Sequence, residues 1–461
     1  MLPLTLAAFF LASLRHMNIT RYEDANYDAD LKRAVSASSL FDPVIEERTR
    51  GIVEAVRTRG DEALAEFTQR FDGAVLTPSQ FAVTTAERMA STLAADTSLR
   101  TAIASAHKNI LAFAKRSLRR GWEMTNSHGA RVGEKFDPFQ RVGVYIPGGT
   151  APLVSTALMT ITLAKAAGCP EIVVCTPCGA DGSINPALLF TAHAAGATEV
   201  YRLGGSQAIA AMAHGTDTIR RVQKIFGPGN AYVVAAKRLL VGHVAIDLLP
   251  GPSEVCVLAD DTAEPAFVAA DLLAQAEHGS GHERVWLVTP SGRLIRSVQR
   301  EIQRQVPKLS RREFIERALT ANGWLIQVKD LEEGIALVNR LGPEHCEVMT
   351  RNPRRVSERI HTAGALFLGN LSPTALGDYV AGPSHVLPTG GAGVSFSGLT
   401  VDQFQRRTSV VEYTAGSLRK AVVGVEAFAK LEGLDAHGRS ATCRLDSGSM
   451  RKTTTTRKKT R

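Results

Sequence analysis

Residues 141–150, RVGVYIPGGT, decide the fold. Val142, Val144, Tyr145 and Ile146 make a short β-prone run that empties into Gly148-Gly149, and STALMTITLAKAAGC (155–169) follows with small and apolar side chains at helical density. Strand, glycine loop and helix in that order are a βα unit. The unit recurs: EIVVCTP (171–177) precedes a helix over 185–195, EVYRLGG (199–205) precedes SQAIAAMAHG, and KIFGPGN (224–230) precedes AYVVAAKRLL. Strands alternating with helices predict an α/β fold with a parallel, doubly wound sheet over residues 141–252. Ligands bind such sheets at the carboxyl ends of strands, where backbone N–H groups and helix N-termini point outward. Gly148-Gly149, Gly204-Gly205 and Gly227-Pro228-Gly229 occupy that place, and three such loops together favour a phosphate-bearing ligand. None spells G-x-G-x-x-G.

A second alternating region covers 253–399. EVCVLADD, RVWLVTP, WLIQV, CEVMT and ALFLGN read as strands, separated by helices over 264–277, 293–306 and 331–341. The first of these helices should bury Phe267, Val268, Ala270, Leu272 and Leu273. It ends in DLLAQAEHG (271–279), where Gln275 and His278, three apart, leave one face of the last turn. That geometry suits a metal ion, but taken alone a histidine at the negative end of a helix dipole explains it better. GDYVAGPSHVLPTGG (377–391) reads as a long loop holding Asp378 and His385.

Upstream, residues 17–140 read as a helical segment packing on the second α/β region. Val44, Ile45, Ile52, Val53, Val56, Leu64 and Phe67 recur at helical spacing around a break at Gly60-Asp61, and Ile103, Ala106, Ile110, Leu111 and Phe113 form a further apolar face. MLPLTLAAFFLASLRH (1–16) is too short to span a bilayer and lacks a basic leader. We read it as an extension outside the fold with translation starting at Met17; a processed signal is the second reading. Residues 400–445 read as small C-terminal dimerisation segments, and 446–461 as a disordered basic tail. Six positive charges of that tail account for most of the net +9 and leave +3 without them, so no specific nucleic-acid partner and no membrane are expected. The six cysteines lack zinc-knuckle or disulfide spacing, which points to reduced thiols and a cytoplasmic protein.

In series, VYIPGGTAPLVSTALM, LGGSQAIAAMAHGT, IFGPGNAYV, DLLPGPSEV, LLAQAEHG, GPEH, GDYVAGPSHVLPTGG and EGLDAH resemble histidinol dehydrogenase from about Met17 to about Arg444. The resemblance implies two Rossmann-like domains, NAD binding on the first and zinc with a catalytic pair on the second, in an intertwined homodimer. It implies oxidation of L-histidinol through the aldehyde to L-histidine with two NAD, the last step of histidine biosynthesis, and one Zn2+ per subunit. By motif position Gln275, His278, Asp378 and His437 correspond to zinc ligands, His437 coming from the partner subunit. Glu344 and His345 correspond to the catalytic pair. Tyr145, Gln207 and Asn230 correspond to NAD contacts, while Ser253, His385 and Glu432 match substrate positions, which the zinc ligands and His345 also serve. Where the chain reads AGPSHVLPT and DAHGRSATCR, family members vary. The main alternative is a paralogous zinc and NAD dehydrogenase for another amino or sulfonated primary alcohol. A non-catalytic nucleotide-binding protein would not need Glu344 and His345, and a zinc hydrolase would not need NAD.

Overall fold

The computed structural model describes residues 17–36, 42–148 and 152–446. The extension 1–16, Gly149 and the basic tail beyond 446 lie outside these. The chain divides into two units, one of residues up to 118 with 139–404, the other of 119–138 with residues from 405 onward.

In the larger unit, β1 (Asn18–Arg21) and α1 (Tyr27–Val35) come first, followed by α2 (Pro43–Arg59), α3 (Asp61–Asp72), α4 (Thr85–Ala94) and α5 (Thr97–Ser117). Asp42, Thr84 and Asp96 accept backbone N–H groups at the starts of α2, α4 and α5, which satisfies donors that a helix start leaves unpaired. β2 (Trp122–Thr125) and β3 (Arg131–Pro138) belong to the other unit. The first parallel sheet follows: β4 (Arg141–Tyr145), α6 (Val154–Ala167), β5 (Glu171–Thr176), α7 (Pro186–Ala195), β6 (Glu199–Arg202), α8 (Gly205–His214), β7 (Lys224–Phe226), α9 (Ala231–Leu239) and β8 (Ala245–Ile246). Its order is β6-β5-β4-β7-β8.

The second parallel sheet comprises β9 (Glu254–Ala259), α10 (Pro265–Ala276), β10 (Arg284–Thr289), α11 (Gly292–Gln305), α12 (Arg312–Asn322), β11 (Gly323–Gln327), α13 (Leu331–Leu341), β12 (His345–Met349), α14 (Pro353–Ser357), β13 (Ala365–Leu368) and α15 (Thr374–Tyr379). Its order is β1-β11-β10-β9-β12-β13. Apart from β1 at the edge, this is the connectivity of the first sheet. Both sheets are covered on both faces, so β4, β9, β10 and β12 are buried along their whole length. Each Val, Leu or Ile so buried contributes about 1.5–3 kcal/mol.

The N-terminal segment does not pack as its pattern predicts. Only β1 and α1 join the second sheet. Ile52 and Val56 of α2 with Leu64 and Phe67 of α3 cover one face of the first sheet, and Ile103, Ala106 and Ile110 of α5 cover the other. Amphipathic spacing shows that a helix has an apolar face but not which sheet receives it. Several residues assigned inward point out: Val44, Phe113 and Phe267 are exposed, as is Ala270. In α10 the buried stripe instead includes Asp271 and Gln275. Asp378 lies on α15 rather than in a loop. No helix among the described residues is long and apolar enough to cross a membrane.

In the smaller unit β14 (Gln405–Glu412) pairs antiparallel with β3, and β3 with β2. Residues 119–138 therefore leave the helical segment to which the sequence pattern assigned them. Two helices complete the unit, α16 (Ala415–Glu432) and α17 (Asp435–Asp446), which pack together.

Candidate active site

A cavity of about 670 Å³ is lined by both parallel sheets of the larger unit. From the first sheet come the carboxyl-end loops, Pro147 after β4 and Pro228 to Asn230 after β7. These two strands flank the point where strand order reverses. Gly227, at φ +110°, is needed there because a Cβ would meet the Tyr145 carbonyl oxygen at 2.1 Å. A buried ion pair fixes this loop. Lys237 pairs with Asp247, Lys237 Nζ donates to Gly227 O at 3.0 Å, and Gly227 N donates to Asp247 Oδ2 at 2.7 Å. Asn230 lines the cavity and caps α9, its Oδ1 accepting from Tyr232 N and Val233 N. Tyr145 and Gln207 lie buried beneath the neighbouring loops.

From the second sheet comes the opposite edge, the amino ends of the strands. α13 stops at Gly342, whose φ of +53° suits a left-handed helix cap. Pro343 follows, and the chain turns to place Glu344 and His345 at the start of β12. Both are buried, at 6% and 4% exposure, yet both border the cavity. The backbone of Glu254, at the start of neighbouring β9, aims them. Its N–H donates to Glu344 Oε2 at 2.8 Å, and its carbonyl lies 3.0 Å from His345 Nδ1. A carbonyl only accepts, so Nδ1 carries a proton and the other nitrogen, Nε2, is the basic one. Nε2 is buried without a hydrogen-bond partner, 3.6 Å from Asp378 Oδ1. Burial alone would lower the His345 pKa, but Glu344 and then Asp378 outweigh it and hold the ring well above its usual range.

Burial also acts against the charge of Asp378, and His345, His385 and His278 overcome it to keep the carboxyl below its ordinary range. Burial lowers the His385 pKa, and its Nε2 has no partner. His278, exposed after the end of α10, borders the cavity. Its Nδ1 lies 3.0 Å from the Gln275 carbonyl, which leaves Nε2 with its lone pair. The Gln275 amide is buried, and its nitrogen is unpaired. Ser253 lines the same cavity. The structure therefore gathers Asn230, Ser253, His278, Glu344, His345, Asp378 and His385 around one space. Glu432, at the end of α16, and His437, in the first turn of α17, belong to the smaller unit and are exposed.

Two acids escaped the sequence reading. Glu254 opens an otherwise apolar strand, and its buried carboxylate pairs with Arg284 at 3.2 Å. Glu347, two residues after His345, accepts from Thr374 N at 2.8 Å and so ties the start of α15 to β12. An acid inside a continuous apolar strand was the signal for both.

The family model described as histidinol dehydrogenase matches residues 36–445. The chain belongs to the histidinol dehydrogenase family. It is 45% identical over 417 residues to the histidinol dehydrogenase of Heliobacterium mobile, covering 90% of this chain and 97% of that one. It is 44% identical over 421 residues to that of Geobacillus kaustophilus, covering 91% and 99%. The crystal structure of histidinol dehydrogenase from Elizabethkingia anophelis superimposes with a TM-score of 0.89 at 36% identity, covering 94% of this chain and 98% of that one. Membership of the histidinol dehydrogenase family makes the chain an NAD-dependent oxidoreductase of histidine biosynthesis.

Proposed function

We propose that the cavity oxidises L-histidinol to L-histidine in two successive hydride transfers to NAD, with Zn2+ bound at Gln275, His278 and Asp378. The observation that carries the chemistry is the pinned ring of His345: Nδ1 faces a carbonyl, and Nε2 is buried beside the cavity without a hydrogen bond, 3.6 Å from Asp378 Oδ1. In this reading Nε2 accepts the alcohol proton as hydride leaves the carbon for the nicotinamide. Glu344, held by Glu254 N, then takes the proton of the water that adds to the aldehyde, and the second hydride leaves. A four-electron oxidation requires two NAD because each accepts one hydride.

Among the described residues no group of three or more His, Cys, Asp or Glu side chains is placed to hold a metal ion. His278 and Asp378 are two residues of those types that border the cavity, and we assign Gln275 as a further donor. The His278 Nε2 lone pair, the Asp378 carboxylate and the amide oxygen of Gln275 would form a nitrogen and oxygen donor set that fits zinc and lacks a fourth member. Bound there, zinc would polarise the substrate oxygen and orient the substrate's imidazole and amine. Ligation of Asp378 would withdraw one of the two carboxylates that raise the His345 pKa.

We assign the fourth ligand to His437 of the partner subunit in a homodimer, where Glu432 takes the substrate ammonium. Support comes from α16, which leaves Val423, Phe428 and Leu431 exposed on a single chain. The shared strand order of the two sheets supports reading both as Rossmann-like, and Tyr145, Gln207 and Asn230 are assigned to NAD on the first. Purified protein supplied with L-histidinol and NAD should form L-histidine with two NADH for each, and a chelator should stop it. Absence of NADH, release of aldehyde as the end product, or indifference to chelator would overturn the assignment. Faster turnover of another amino or sulfonated primary alcohol would replace the substrate alone.

A further inference from the structure

Asp72, the last residue of α3, is an expensive carboxylate for a merely structural position. Its Oδ2 is sealed from water, and no hydrogen bond or ion pair reaches the side chain among the described residues. It also sits at the negative end of a helix dipole, which disfavours an acid. Burial accordingly pushes its pKa up to about 6.

Its surroundings are the carboxyl ends of the first sheet. A Cβ placed on Gly204, just after β6, would lie 3.3 Å from Asp72 Oδ2 and 2.6 Å from Pro177 Cβ after β5. Next to Gly204, the Gly205 N–H donates to the Tyr145 hydroxyl at 3.0 Å, and the Asp72 charge acts on Tyr145. Gln207, in the first turn of α8, is buried with both amide atoms unpaired. One carboxylate and one amide thus stand without partners beside the same loop. The carboxylate calls for hydroxyl or amine donors, and the amide for a group that both donates and accepts.

We propose that Asp72 is a further cofactor-binding residue, whose carboxylate accepts hydrogen bonds from the ribose hydroxyls of NAD and repels the additional phosphate of NADP. The inference rests on the assignment of Tyr145 and Gln207 to NAD. A carboxylate accepts from both hydroxyls of a ribose diol, whereas a phosphate on one of them sets like charges together and removes a donor.

Asp72→Asn keeps the size of the side chain and removes its charge. The expected result is a rise in KM for NAD of about tenfold, as for loss of hydrogen bonds to a charged group, with at least as large a fall in the preference for NAD over NADP. KM for the alcohol should not move with it. If Asp72 is only structural, relieving a buried charge raises Tm and leaves both cofactors' KM values as they were, which overturns the proposal. Gln207→Ala, measured alongside, separates the two levels. A raised NAD KM in Gln207→Ala with none in Asp72→Asn sinks the Asp72 assignment alone. No effect in either variant places NAD elsewhere and removes the reading on which the assignment rests.

Discussion

The two parallel sheets share one strand order, yet they meet the cavity with opposite ends. The first offers the carboxyl ends of its strands, where α6 and α9 begin and the positive ends of the helix dipoles favour anions. The second offers amino ends, where α10 and α13 finish and the negative ends of the helix dipoles favour cations and protons. One connectivity thus supplies a surface suited to a pyrophosphate and another suited to a metal ion and a base. The amino ends differ in the same way. In the first sheet they carry a closed ion network, with Arg141 bonded to Glu171 at 2.7 Å and to Glu199 at 2.8 Å, and Arg220 alongside. In the second, the corresponding strand starts hold the Glu254–Arg284 pair, and the Glu254 backbone aims Glu344 and His345.

The strongest test of this division is His345→Ala, which should lower kcat by about 10³-fold and leave KM for NAD unchanged. An equal change in both parameters would mean that the two edges do not act separately. Next in size is the contrast between the two arginines. Arg284→Met strands Glu254, which is 1% exposed, and should cost about 3 kcal/mol of stability together with much of the turnover. Arg141→Met leaves two carboxylates that reach solvent and keep Arg220, so it should cost about 1 kcal/mol with activity retained. Denaturant midpoints and kcat for both variants decide the matter, and equal losses would break the comparison.

A further test sharpens it through pH. Arg141, against the opposing effect of burial, and Tyr201 lower Glu199 to about 2 from 4.5. Its contribution is present above about pH 4.5 and is lost as pH falls toward 2. Burial raises Glu254 to about 7 in spite of Arg284, so its relative contribution is present below about 4.5 and is lost as pH rises through 7. Glu199→Gln and Glu254→Gln should therefore change the pH dependence of unfolding in opposite directions, each by on the order of 2 kcal/mol. Stability curves with the same sign would show that the two edges are electrostatically alike.

Much of the fold was legible along the chain because its signals are local. Apolar runs ending in glycine located β4, β6 and β7, an apolar run ending in proline located β5, and the helix expected over 331–341 is found at Leu331–Leu341. Elements whose stability lies in distant pairing were not legible. β1 is four residues held by β11, some three hundred positions away, β2 and β14 are largely exposed and β3 is mostly half-buried, so no apolar pattern announces them.

At the site, the motif series by itself indicated which family this is. It did not show that Asp378 rides on a helix, that Asn230 also caps one, or that the backbone of Glu254 orients both Glu344 and His345. The sequence by itself determined that there are two βα layers, the first with strands that end in glycine loops. Only the tertiary structure decided which ends of those layers face each other, because a strand's local pattern is the same whichever of its ends meets the neighbouring sheet. That choice sets the sign of the helix dipoles around the cavity.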